Sequence, residues 1–212
     1  MAIPHLQLVT PAIRTVLGPM AGRPLPRRRP NAELRSREYL TEDEVGQLIE
    51  AAKANRYGHR DATMTLLAFR HGLRAAELCD LRWDQVDFTA AVLAVRRVKG
   101  GSPSTHPLSG LELRALRRLK REAPTGPFVF VSERGAPFST AGFARMLERA
   151  AAAAGLELKV HPHMLRHACG FALANKGHDT RSLQAYLGHR NIQHTVRYTE
   201  LSPARFRDFW KD

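Results

Sequence analysis

HPHMLRHACGFALANKGHDTRSLQAYLGHRNIQHTVRY is the run of residues 161–198. It is too polar and too cationic to be simple core. Yet Leu165, Phe171, Leu173, Leu183, Tyr186, Leu187 and Ile192 recur through it at spacings that folded helices bury. The run therefore reads as two or three helices carrying half of a polar site, and the rest of the chain as what completes that site.

His163, Arg166 and His167 are three and four residues apart, so on a helix they share one face. His163 and His167 have the spacing of two imidazole metal ligands. The residues between them are Met164, Leu165 and Arg166, where a zinc hydrolase places a Glu, and a guanidinium beside a dication is repelled. No metal is expected. An Arg and a neutral His side by side suit a phosphate instead, the planar fork taking non-bridging oxygens and the imidazole handling a proton. A buried, ion-paired Arg with a capping His is the bland alternative for this trio.

Working outward, 212 residues are enough for one sizeable domain, and a hydrophobic fraction of 43% is ample for a core. The formal charge of +13 is larger than solubility requires and calls for a polyanionic partner. No apolar run approaches the roughly 18 residues that span a bilayer, which favours nucleic acid over membrane. Cys79 and Cys169 lie far apart without a paired spacing, as small buried hydrophobes of a reducing cytoplasm do, so a cytoplasmic location is expected.

Residues 1–37 are rich in Pro and carry the Arg27-Arg28-Arg29 run, which predicts a disordered basic arm able to lie on phosphates. Residues 38–212 form the predicted domain. Thr41 and Glu44 make a capping-box signature ahead of Val45, Leu48, Ile49 and Ala52, and a second helix follows Gly58. Gly72 starts a new direction, with Arg74 at the opening turn of a short helix through Leu78 and Cys79. Residues 90–98 and 104–108 read as a β-hairpin around Gly100-Gly101, with Lys99 at the edge of its turn. A basic helix over 111–121, a strand over 128–131, a turn at Glu133-Arg134-Gly135 and a helix over 140–153 come next. Phe206, Phe209 and Trp210 lie at helical spacing near the end, as a stripe that either packs on the chain's own core or docks on a neighbour. The predicted class is mainly α with a small antiparallel β-sheet, an α+β domain.

HPHMLRH, CGFALAN, YLGHRNI and the HTV before Tyr198, with GLRAAEL upstream, together resemble the tyrosine recombinases, also called the phage integrase family. The resemblance runs from about Thr41 to Trp210 and is closer still to the short recombinases that invert fimbrial promoters. It implies the tyrosine recombinase catalytic-domain fold. Carried over position by position, it implies Arg74, Lys99, His163, Arg166, His189 and Tyr198 as the catalytic set, with Tyr198 the nucleophile. His161, His167 and His194 fall outside that set and are expected to be structural or phosphate-contacting.

The implied chemistry is DNA cutting and rejoining through a 3′-phosphotyrosyl intermediate, for inversion or for integration and excision. Arg74 and Arg166 would meet the charge that builds on the non-bridging oxygens, with a hydrogen bond from His189. His163 would take the phenol's proton and Lys99 would protonate the leaving 5′-oxygen. The covalent link conserves bond energy, so no cofactor is expected. The implied partners are double-stranded DNA, three further copies in a homotetramer on that DNA, and an accessory DNA-bending protein, since residues 1–37 are too few for the helical domain that precedes the catalytic one in most relatives. A type IB topoisomerase-like relaxing activity and a catalytically silent DNA-binding regulator are the competing functions.

Overall fold

The computed structural model describes residues 37–98, 100–122, 126–200, Ser202 and Phe206. The predicted arm falls outside these, apart from Arg37, as do Lys99, Phe209 and Trp210. Arg37–Asp212 forms one compact unit. Its described part holds eight α-helices and a three-stranded antiparallel sheet, the predicted α+β class.

Helix α1 (Glu42–Lys53) starts where Thr41 and Glu44 close the capping box, each satisfying a backbone N–H of the other. Val45, Leu48 and Ala52 are its buried stripe. Helix α2 (Gly58–Arg70) lies against it and buries Met64 and Leu67, and two residues past its end Gly72, with a positive φ of 56°, turns the chain. The short α3 (Ala75–Cys79) has Arg74 at its N-cap. A 3₁₀ turn (Trp83–Gln85) then leads into the sheet.

Strands β1 (Val86–Asp87), β2 (Val92–Val95) and β3 (Ser104–Pro107) pair in sequence order, with Val86 opposite Leu93 and Leu93 opposite His106. Leu93 and Val95 point into the core. The predicted hairpin is present, preceded by a first strand that two residues are too few to announce. The predicted strand over 128–131 is not. Arg82 with Phe128 and Val131 with Pro137 make single bridges, while Val129 donates to the Leu81 carbonyl and Phe138 to that of Phe130. Val129 and Phe130 are buried core. Their apolar run reflects burial of a loop, which period alone does not separate from a strand.

Helix α4 (Gly110–Glu122) is the predicted basic helix. Its cations are partly occupied at home: the Lys120 ammonium lies 5.1 Å from the Phe88 ring and 5.7 Å from that of Trp83, and Arg118 pairs with Glu122. Helix α5 (Thr140–Ala153) is capped by Ser139 and buries Phe143, Met146 and Leu147.

Helix α6 (Pro162–Asn175) opens the decisive run, its φ preset by Pro162 at the first turn. It is buried from Met164 to Gly170 without a break, which makes it a central helix, not an amphipathic surface one. Asp179 caps α7 (Thr180–Leu187) by accepting from Arg181 and Ser182, and Gly188, at φ 65°, ends it in the left-handed conformation. Helix α8 (Gln193–Glu200) then folds back onto α6 and α7 and delivers Tyr198.

Candidate active site

Arg74, His163, Arg166, His189 and Tyr198, drawn from the N-cap of α3, from α6, from the α7–α8 turn and from α8, line one cleft of about 230 Å³. His167, His194 and Arg197 line it with them. Five of the six expected residues therefore converge. The sixth, Lys99, lies outside the described residues, but its loop is anchored beside the cleft: a Cβ on Gly100 would meet the Arg190 guanidinium at 3.5 Å and one on Gly101 the Gly188 carbonyl at 2.8 Å.

Each cation is fixed by its own scaffold. Arg166 is 1% exposed and donates to the carbonyls of Gly72 and of Leu187, the latter at 2.6 Å. A guanidinium has five N–H groups, so these two anchors leave donors for a ligand. Burial, with Arg74 and Arg97 nearby, lowers its pKa to about 10, still a cation at neutral pH.

Arg74 is held by Glu77, which pairs with it at 2.6 Å and with the buried Arg97 at 2.9 Å. Burial pulls the Glu77 carboxyl upward, but the Arg74 backbone N–H and the two guanidiniums hold it below its ordinary range. Glu77 and Arg97 were not singled out from the sequence. The signal was a Glu three residues after Arg74, in position to accept from its backbone N–H, which it does at 3.0 Å.

Tyr198 is 1% exposed. Its ring lies over Gly170 so closely that a Cβ there would sit 2.7 Å from the phenol carbons, and Phe171 meets it edge-on at 5.0 Å. Glycine inside a helix is disfavoured by about 1 kcal/mol against Ala, so Gly170 in the middle of α6 was a readable sign of close approach.

The phenol hydroxyl meets Nδ1 of His167 at 2.7 Å. His163, the expected acceptor, stands one turn earlier, is exposed at the rim, and packs edge-on against the His167 ring at 4.3 Å. The reason is the path of α8, which crosses α6 at Gly170, two turns beyond His163.

Burial, then the neighbouring Arg166 and Arg74, lower His189 to about 3, and its Nδ1 lies 2.8 Å from the Thr195 hydroxyl. Burial, then His163 and Arg197, take His167 to about 3. Both imidazoles are neutral at pH 7. The cleft thus presents fixed guanidinium charge and neutral imidazoles around one phenol, an arrangement that binds an anion and activates a hydroxyl.

Residues 38–205 match the model of the phage integrase family. The type 1 fimbriae regulatory protein FimB of Escherichia coli is 43% identical over 184 residues, covering 84% of this chain and 92% of that protein. The crystal structure of XerA recombinase superposes with a TM-score of 0.69 at 32% identity, over 81% of this chain and 63% of that one. A λ integrase dimer bound to a COC′ core site superposes with a TM-score of 0.63 at 25% identity, over 82% of this chain and half of that one.

Proposed function

The chain belongs to the phage integrase family, and from that membership we propose that it is a site-specific DNA recombinase, cutting and rejoining strands through a 3′-phosphotyrosyl link on Tyr198. The observation that carries this reading is the position of the Tyr198 hydroxyl in a cleft walled by Arg74 and Arg166. A scissile phosphate placed there would put non-bridging oxygens against guanidinium N–H groups that are already fixed, so the developing charge needs no reorganisation.

In this reading the phenol loses its proton and attacks phosphorus, the bond to the 5′-oxygen breaks, and that oxygen takes a proton from the Lys99 ammonium. His189, held by Thr195 through Nδ1, turns its other nitrogen toward the same oxygens. Rejoining reverses each step on another strand. The bridging 5′-oxygen of DNA is a strongly basic leaving group, and an acid on a short loop beside the cleft suits it.

Inversion of a promoter element is the favoured outcome, because the sequence similarity to FimB extends over 92% of that protein and the fimbrial motifs are present in sequence. A homotetramer on paired sites, an accessory bending protein, phosphate contacts by the basic arm of residues 1–37, and a cytoplasmic setting complete the proposal. The charge of +13 supports the DNA partner.

The test is a nicked suicide duplex carrying the site this protein selects from a random-sequence pool. Wild type should become covalently attached to the DNA. A silent regulator, the reading suggested by the word regulatory in the FimB description, would bind without attachment, and its phenotype would survive Tyr198→Phe. A topoisomerase-like activity would relax a plasmid lacking the selected site.

A further inference from the structure

We propose that His167 accepts the nucleophile's proton. The inference rests on the reading of Tyr198 as nucleophile and adds a residue to its machinery. The Nδ1 atom of His167 is 2.7 Å from the Tyr198 oxygen, within hydrogen-bond distance. Arg197 places Nη2 3.1 Å from the same Nδ1 and 3.2 Å from Nε2. An arginine only donates and here sits against both ring nitrogens, so the phenol contact is the one that matters: with the neutral ring's hydrogen on Nε2, Nδ1 presents its lone pair to the Tyr198 hydroxyl. In that tautomer the phenol is the donor and the imidazole the acceptor, which is the starting geometry for proton transfer.

The contact is built, not incidental. His167 is 6% exposed and Tyr198 1%, and Gly170, one turn beyond His167 on α6, removes the side chain that would push the phenol away. Arg197 itself is steadied by Glu38 at 3.7 Å, so the group that orients His167 is held from the start of the domain. His163 supports the ring from behind, edge-on at 4.3 Å.

Charge links the step to substrate. Burial together with His163 and Arg197 holds His167 neutral. A phosphodiester entering between Arg74, Arg166 and Arg197 offsets the cations that oppose protonation, so His167 becomes a stronger base when DNA is in place. The step balances as follows: the O–H bond of Tyr198 breaks, its proton passes to Nδ1 to give an imidazolium, the phenolate oxygen bonds to phosphorus, and the 5′-oxygen leaves with the electron pair of its P–O bond and takes a proton from Lys99. On rejoining, the imidazolium returns its proton to the departing phenolate.

The experiment measures the rate of covalent attachment to the nicked duplex against pH for wild type, His167→Asn, His167→Ala and His163→Ala, with DNA affinity recorded for each. Asn keeps an acceptor on the hydroxyl and the packing over Gly170, but it cannot take the proton. Both His167 variants should bind DNA as wild type does and attach about 100-fold more slowly near pH 7.5. Their rates should climb with pH, as hydroxide ionises a phenol whose pKa burial raises above 10, while the wild-type rate changes less. A 5′-bridging phosphorothiolate, whose sulfur leaves without a proton, should rescue Lys99→Ala and leave the His167 variants slow. Attachment by His167→Asn within about threefold of wild type, rescue of it by the sulfur substrate, or the same pH recovery in His163→Ala alone would each overturn the assignment. Absence of attachment by wild type on DNA that it binds would instead overturn the parent reading of Tyr198.

Discussion

Gly170 and Glu77 show how much of the site depends on residues with no chemistry of their own. A methyl on Gly170 would meet the Tyr198 ring at 2.7 Å, and α6 is too tightly packed to yield. Gly170→Ala should leave DNA binding intact and slow attachment to the suicide duplex at least tenfold, read in one gel by comparing shifted with covalent DNA. Glu77 neutralises two guanidiniums from a position 5% exposed. Glu77→Gln leaves Arg97 buried without its counter-ion and should cost about 3 kcal/mol in urea unfolding, with attachment reduced because Arg74 loses its anchor. Of the six residues carried over from family motifs, Arg74, His163, Arg166, His189 and Tyr198 line one cleft, and their motifs were what made that convergence legible. His167 was legible only as a histidine. Its role depends on where α8 crosses α6, and residue spacing within α6 says nothing about that crossing.

Among the elements, the start of α1 was the easiest to read, and the same kind of local signal stands at α5 and α7, where it was not read from the sequence. Thr41 and Glu44 announce α1, Ser139 caps α5, and Asp179 and Gly188 bracket α7 through local hydrogen bonds and one left-handed residue. The run over 128–131 misled because burial, and not pairing, made it apolar. The contact between the β2–β3 loop and the α7–α8 turn was invisible for another reason: it joins segments about 90 residues apart through two glycines, whose lack of side chain is the contact. A Cβ on Gly101 would press on the Gly188 carbonyl at 2.8 Å. Gly101→Val should therefore push away the loop that carries Lys99. Its attachment defect should be relieved on the 5′-phosphorothiolate duplex, which bypasses the leaving-group acid, while a variant defective at Tyr198 gains nothing from that substrate.

For the molecule as a whole, the same burial that neutralises the site's imidazoles sets the pH dependence of folding. His106, His167 and His189 have folded-state pKa values of about 3, below the ordinary 6.5, so the unfolded chain binds protons that the fold refuses. Stability is then full above about pH 6.5 and declines as pH falls from there toward 3, by at most about 1.4 kcal/mol per pH unit for each histidine. Glu112, taken to about 2 because contacts with His71 and Ser109 outweigh its burial, adds loss in the same direction below pH 4.5. Thermal melts between pH 8 and 4 should show a plateau and then a decline beginning near 6.5. A melting temperature flat down to pH 5 would place those imidazoles in water. The charge of +13 acts over the whole surface instead, as a steep fall of DNA affinity with salt. Replacing Arg27, Arg28 and Arg29 by Ala should reduce that slope by up to about 3 without changing the selected sequence.

The most direct measurement is to trap the protein on the nicked suicide duplex and identify the linked residue by mass spectrometry of the digested adduct. Wild type should yield a single peptide joined to the DNA 3′-phosphate through Tyr198, and Tyr198→Phe should bind the same duplex and yield none. Binding by wild type without a covalent product, or a link through any other residue, would contradict a recombinase built around Tyr198.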